Sequence, residues 1–468
     1  MNNEKMELAK FVDSPEVSTE CFLDRFGEVF VRVEVGGHLE IMMLSSERFV
    51  DWIVKKYSDV NDDAPKPADI KKLKSILRAR ATFGKSRHDL SIRSAYSDGY
   101  LWYDLVDNDW RVIRIGTSGW DIIDSPPILF KRNIQKEQII PEHGGDVHDL
   151  LKFVNIKNEN QQLLFLISTI VNFVPHIPRP IQVYFGTQGA AKSTVCKMLK
   201  NIVDPSGIEL LNLVNETKEL TQHLHKHYLL SFDNLDMLKS ETSDVLCRAV
   251  TGGGLEKRKL YTDSDSIIFD YRRAIVINGI NLVAIKPDLL DRSLLFELER
   301  IDEKSRKSEE EVWQEFDSVK PKILGAIFDV LSKALTILPT ITLSESPRMA
   351  DFAKWGCAVA EALGHTQEQF TIAYNENREI QNKQAIEESP IALAIVTLMD
   401  NRNIWNGTSQ MLLKRLKQIA VKEELDSSLF PKSPSILSRR VNQIKQNLKS
   451  EGIKIEKIGQ REWHIEKL

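Results

Sequence analysis

Residues 180–199 read PIQVYFGTQGAAKSTVCKML. Ile181 to Phe185 form an apolar, β-branched run, which predicts a short buried strand. The run stops at a glycine-rich turn, GTQGAAKST over 186–194, and a helix-favouring stretch follows with Val195, Met198 and Leu199 as its apolar positions. Strand, glycine loop, Lys-Ser/Thr and helix is the layout of a cradle for nucleotide phosphates. Backbone N–H groups from Gly186, Gly189, Ala190, Ala191 and Thr194 converge on a phosphate in such a loop. Lys192 reaches the β and γ oxygens, and Ser193 offers its hydroxyl to Mg²⁺. The helix N-terminus adds its positive end. ATP and Mg²⁺ are the expected cofactors. The usual pattern closes with Gly-Lys, whereas Ala191 stands here; alanine is the smallest residue with a Cβ and leaves the turn accessible.

Two further strands are predicted to end in chemistry. Residues 228–236, YLLSFDNLD, deliver Asp233 at a C-terminal strand end, the edge that faces the ligand crevice in a parallel sheet. There it can hold Mg²⁺ opposite Ser193. A carboxylate normally follows such an aspartate to orient the attacking water. Asn234 stands in that place, and the base is left to Asp236 or to a carboxylate elsewhere. Residues 274–278 form another buried run, ending in Asn278, whose amide can reach the γ-phosphate or the water; the following glycine makes an Asn-Gly turn the competing reading. With 209–213 and 293–298 as further candidate strands and helical patterns between most of them, the stretch has an α/β signature.

Arg292 (in PDLLDRSLL) has the planar, always-charged fork that suits a phosphate. At a subunit edge it would act on a neighbour's nucleotide, as fingers supplied in trans do; a simple Asp291–Arg292 surface pair is the competing reading. Arg348, after Pro347, suits phosphate contact from a lid or a solvated first helical turn equally well. Between the second and third elements, residues 250–273 carry three glycines, the basic run Lys257, Arg258, Lys259, and a hairpin pattern. Such a hairpin fits a DNA-tracking device and a solvated loop equally. His223, His225 and His227 share a face if strand-bound, but lack a completing ligand and are expected at the surface.

The 468 residues suffice for about three domains. A net charge of −4 gives no global sign of nucleic-acid binding. The four cysteines are scattered, with no metal spacing or disulfide framework, and the chain starts without a signal-peptide pattern; a cytoplasmic setting fits. The apolar stretch 163–174 is too short to span a bilayer and is expected as a buried helix beside the cradle, with no membrane role. Residues 1–140 read as an α+β accessory domain: a hairpin turning at Gly36-Gly37, two helices, then short aromatic strands over 91–130. Residues 141–340 hold the ATPase core, and 341–388 a helical lid with a linker: helices run to about 385, broken at Pro339 and Pro347, and the polar stretch Gln367 to Glu388 is the candidate linker. The tail, 389–468, holds fourteen Lys and Arg against eight Asp and Glu. Three helices and a small hairpin predict a winged helix, its third helix carrying Arg439, Arg440 and Lys445 and suited to a major groove; protein docking is the alternative.

GTQGAAKST resembles the cradle of minichromosome maintenance (MCM) helicases, which also place Ala before Lys. FDNLDM resembles their acidic strand end, with Asn234 where they carry Glu. Asn278, Arg292 and Arg348 fall in the order of their sensor 1, arginine finger and sensor 2. The layout, including WYDLVDNDWRVIRI, GWDIIDSPPILFKR, KLYTD, INGI and LLDRSL, is more similar still to MCM-like or superfamily 3-like AAA+ helicases of phages and mobile genetic elements, over most of residues 90–468. The resemblance implies an AAA+ P-loop ATPase core with a helical lid. It implies a homo-hexameric ring moving on DNA, with single strand in the channel and duplex on the winged helix, and a primase or initiator as a candidate partner. The expected function is an ATP-dependent DNA helicase. The alternative is an ATP-switched initiator or loader that binds DNA without processive unwinding. No zinc-binding cysteine set of the MCM N-terminal domain is present.

Overall fold

The computed structural model describes residues 8–12, 19–213, 216–235, 238–252, 254–258, 266–270, 272–279, 287–387, 389–426, 430–459 and 462–468. Its centre is a parallel five-stranded sheet. From edge to edge the order is Ser293–Glu297, Ile181–Phe185, Ala274–Asn278, Leu229–Asp233, Leu211–Asn212. Each neighbouring pair is parallel. These strands are apolar along their length because both faces are covered. Tyr184, Leu229 and Val276 face a core shared with the helices Glu159–Val171, Lys192–Val203 and Glu309–Ile337. Val183, Ile275, Ile277 and Phe232 face the opposite core, with Leu224 and Leu246. The register sets Phe232 opposite Ile277 and Asn278 opposite Tyr184. Asp233 and Asn278 therefore finish side by side at the C-terminal edge.

The stretch 163–174 is the buried part of the Glu159–Val171 helix, as its composition predicts. The Glu309–Ile337 helix is long and apolar enough to cross a membrane by length and composition. Its apolar side, including Ile323, Leu324, Ile327 and Phe328, instead lies in the central core. A capping box of Ser308 and Glu311 starts it.

The polar stretch after 366, expected to include a linker, is the continuous helix Gln367–Glu387. Its buried amides close the outer strand of the sheet. Asn377 accepts from Leu295 N at 3.0 Å and donates to Leu295 O at 2.7 Å, and Gln381 donates to Ser293 O at 2.6 Å.

Before the sheet, Thr19–Leu23, Val29–Val35 and His38–Met43 form an antiparallel sheet over a core of their own with Phe49, Trp52, Leu73 and Leu77. Ser94–Ser97, Tyr100–Asp104, Val112–Gly116 and Gly119–Ile123 form a four-stranded meander. Its buried side chains Leu101, Tyr103, Ile113 and Ile115 belong to the central core. Arg93, fully buried, ties this region to the helix behind the cradle: it meets Asp204 at 3.2 Å, and Asp204 accepts from Lys200 at 2.7 Å.

In the tail, the helices Pro390–Met399, Ser409–Lys422 and Pro434–Ser450 pack around Leu412, Leu437, Val441 and Trp463. A hairpin, Ile453–Ile458 with Glu462–Lys467, follows. A third strand, Ile404–Thr408, joins it beside the last strand; it was not expected from the sequence. The three histidines expected at the surface lie on the helix Thr217–Lys226 and just after it rather than on a strand, and His227 is buried.

Candidate nucleotide-binding site

The turn after Phe185 needs positive φ at three places. Gly186 has φ 134°, Gly189 85° and Ala191 58°. Only the last belongs to a residue with a Cβ, and it stands immediately before the Lys192–Val203 helix. Ala191 thus takes up the left-handed conformation that glycine adopts freely, at a cost of about 1 kcal/mol. Backbone closes the first position to any side chain, and at the second the positive φ is the constraint, with a mobile guanidinium tip nearby. A Cβ on Gly186 would stand 2.2 Å from Leu298 O, and one on Gly189 2.9 Å from Arg306 Nη2.

Lys192 folds back on this turn, donating to Gly186 O at 2.7 Å and Thr187 O at 2.9 Å. Burial lowers its pKa, and the carboxylate of Asp233 offsets this in part. The next residue, Ser193, donates to Asp233 Oδ1 at 2.8 Å. Asn278 Nδ2 donates to the same oxygen at 2.6 Å, while Asn278 Oδ1 accepts from Asn234 N at 2.8 Å. One amide therefore orients the aspartate and fixes the residue after it. Asn234 has φ 53°, a conformation asparagine tolerates better than glutamate. Its exposed side chain presents an amide where a carboxylate was expected. Asp236 lies outside the described residues. Among the described residues, hydrogen bonds bring no second carboxylate to Ser193, Asp233 or Asn278.

These donors are hard oxygens: one carboxylate and one hydroxyl. Mg²⁺ takes one or two such protein ligands and fills its remaining positions with water and phosphate oxygens, so Ser193 and Asp233 fit it.

Arg292 and Arg348 are not at this end of the sheet. The carbonyl of Arg292 accepts from Ile181 N at 2.8 Å, so Arg292 sits where the strands begin, about 16 Å from their C-terminal ends. Its side chain is 16 % exposed and meets Asp288 at 2.7 Å. Arg348 reaches the same Asp288 at 2.7 Å and Asp291 at 2.9 Å. Burial alone would raise the Asp288 pKa, but the two guanidinium groups outweigh it and hold the carboxyl low.

Of the basic residues expected on DNA, Lys257 and Arg258 end the strand Gly254–Arg258, paired antiparallel with Ser266–Asp270. Their side chains, and Lys259 altogether, lie outside the described residues. Arg439 and Lys445 are exposed on the Pro434–Ser450 helix, and Arg440 is half-buried. Lys414 and Lys417 extend the exposed positive charge onto the preceding helix.

A cavity of about 880 Å³ opens beside the turn. Gly189, Ala191 and Thr194 line it from the cradle, Asn155 and Ile156 from the segment before the Glu159–Val171 helix, and Arg300 and Arg306 from the segment after Glu297. The last two were missed. In the sequence Arg306 sits in the charged run 303–311, which reads as an exposed helix start, and Arg300 stands just before it; only the glycine contacts reveal them.

Two family models match the chain in order. The first, described as "Actinomycete integrative conjugative element replication protein", covers residues 147–375. The second, the AICE RepA C-terminal domain, covers 391–468. Among solved structures, two apo structures of the NrS-1 C-terminal region are similar at 11 % and 10 % identity. Each covers 100 % of both chains with a TM-score of 0.43, a likeness that assigns neither activity nor partner. No curated protein matches the chain.

Proposed function

We propose that the chain, which matches the AICE RepA replication-protein models over residues 147–375 and 391–468, is a mobile element's replication initiator or helicase loader, a DNA-binding protein that ATP switches between states. The observation that carries this reading is the Ser193–Asp233–Asn278 cluster followed by Asn234. The cluster suits a triphosphate with Mg²⁺. Asn234 cannot accept a proton, which favours slow turnover and a long-lived ATP state. Bound Mg²⁺ would neutralise phosphate charge; Lys192 and the loop N–H groups would hold the phosphates, and Asn278 would keep Asp233 oriented.

The strand order, with the cradle strand between the edge strand and the Asn278 strand, supports an AAA+ core. The tail's three helices and three strands support a winged helix, its basic helices facing duplex DNA. Arg292, at the far end of its own sheet, is out of reach of its own cradle and would have to leave Asp288 to serve a neighbour's nucleotide. That supports a homo-oligomeric ring, a hexamer by resemblance.

The test is ATP turnover by the full chain with and without single-stranded DNA. Lys192→Ala should abolish turnover, at least 100-fold, with an unchanged unfolding midpoint. Asn234→Glu should raise it. Turnover unaffected by Lys192→Ala removes the cradle. A second reading, a processive helicase, is favoured by the paired strands Gly254–Arg258 and Ser266–Asp270, inserted just before the Asn278 strand. ATP-dependent strand separation by the purified chain would favour it.

A further inference from the structure

We infer that Arg306 is a phosphate clamp supplied by the chain to its own cradle, making the cavity a site for a nucleoside triphosphate. The inference rests on the nucleotide reading above. Residues 298–306 leave the edge strand and lie across the turn. Leu298 N donates to Phe185 O at 2.9 Å and Ile301 N to Gly189 O at 3.4 Å. This close approach, with its positive φ, is why Gly186 carries no Cβ, and positive φ is the reason at Gly189. It leaves Arg306 Nη2 2.9 Å from where a Gly189 side chain would begin.

Of the neighbouring cations, Lys157 and Lys304 are exposed and, among the described residues, unpaired lysines without a planar fork, while the others are engaged. Arg300 meets Glu303, Lys307 meets Glu315, and Lys192 is folded onto two carbonyls. Arg292 and Arg348 share Asp288 far from the turn. Arg306 is exposed and, among the described residues, has neither an ion pair nor a hydrogen bond. A guanidinium held against a phosphate loop with its donors unspent is matched by a phosphate, which takes two of its N–H groups at once. The cavity that Arg306 and Gly189 share, about 880 Å³, is in the range for a nucleotide-sized ligand. An acidic side chain is the other partner that would satisfy the fork, and none reaches it among the described residues.

The probe is a fluorescent ATP analogue, mant-ATP, titrated into the full chain with Mg²⁺. Arg306→Ala should weaken binding about tenfold or more. Arg306→Lys, which keeps the charge but loses the fork, should recover part of that. Lys304→Ala, removing an exposed cation two residues away, should stay within twofold of wild type. If Arg306→Ala binds within twofold of wild type while Lys192→Ala does not bind, the clamp is wrong and the cradle stands. If the wild-type chain binds no analogue at millimolar concentration, the cradle fails and the clamp with it.

Discussion

Two residues at the cradle adopt a backbone conformation that their types pay for unequally. Ala191 at φ 58° is strained where Asn234 at φ 53° is tolerated. Ala191→Gly should therefore stabilise the protein, by about 0.5–1 kcal/mol after the added flexibility of the unfolded chain is counted; a higher unfolding midpoint in a thermal melt checks it. Asn278 shows the opposite sensitivity. Asn278→Leu takes one of two donors from Asp233, leaves the N–H of Asn234 without its partner and should cost about 1–3 kcal/mol, with loss of ATP turnover. The residue types at both positions were readable beforehand, and so was the spacing of Lys192, Asp233 and Asn278. What the letters could not convey is that Asn234 occupies a left-handed position, where an asparagine has a conformational reason to be present. The pairing of Arg292 and Arg348 on a single aspartate was equally invisible, since 56 residues separate the two arginines.

At the scale of elements, alternation and apolar runs located the five strands because their burial is continuous and their boundaries are marked by turns. The Leu211–Asn212 strand is shorter than the expected 209–213, and the tail strand Ile404–Thr408 was missed; its exposed, mixed IWNGT pattern carries no burial signal. Helix was expected to about 385, as found; the polarity of Gln367–Glu387, which suggested a linker, has a physical reason, since its amides serve backbone atoms rather than water. Gln381→Leu should leave Ser293 O unpaired and cost about 1–3 kcal/mol in a denaturant melt. A second buried polar device ties the meander to the cradle helix. Asp204 is held down to about 2: burial would raise it, but Lys200 and Arg93 prevail. Asp204→Asn strands two buried cations and should destabilise by about 3–5 kcal/mol, with unfolding read by circular dichroism.

At the scale of the whole molecule, pH acts through histidines kept neutral. Burial, aided by Arg179, lowers His176 to about 4; burial, aided by Lys200, lowers His227 to about 3. Unfolded, both take up a proton near pH 6.5. The unfolded chain then binds more protons than the folded one, so stability should fall as pH drops from about 7 toward 4. Midpoints measured across that range should decline less steeply in His227→Gln. Asp204 contributes its share above the ordinary aspartate range and loses it only as pH falls toward 2. Removal of residues 389–468 should weaken duplex binding and flatten its salt dependence, measured by anisotropy at several ionic strengths; the helix Gln367–Glu387 meets the tail through Asn447 and Asn382 at 3.0 Å, so the cut belongs after 388. The outer flanks of the central sheet bear on assembly too. One flank is sealed by Asn377 and Gln381, and the other is trimmed to two residues. No open ladder remains there for a foreign strand to extend. Among the described residues, then, the central sheet offers no edge for strand exchange between copies, and an assembly of this chain, if it forms, would rest on side chains of helices and loops or on the other sheets.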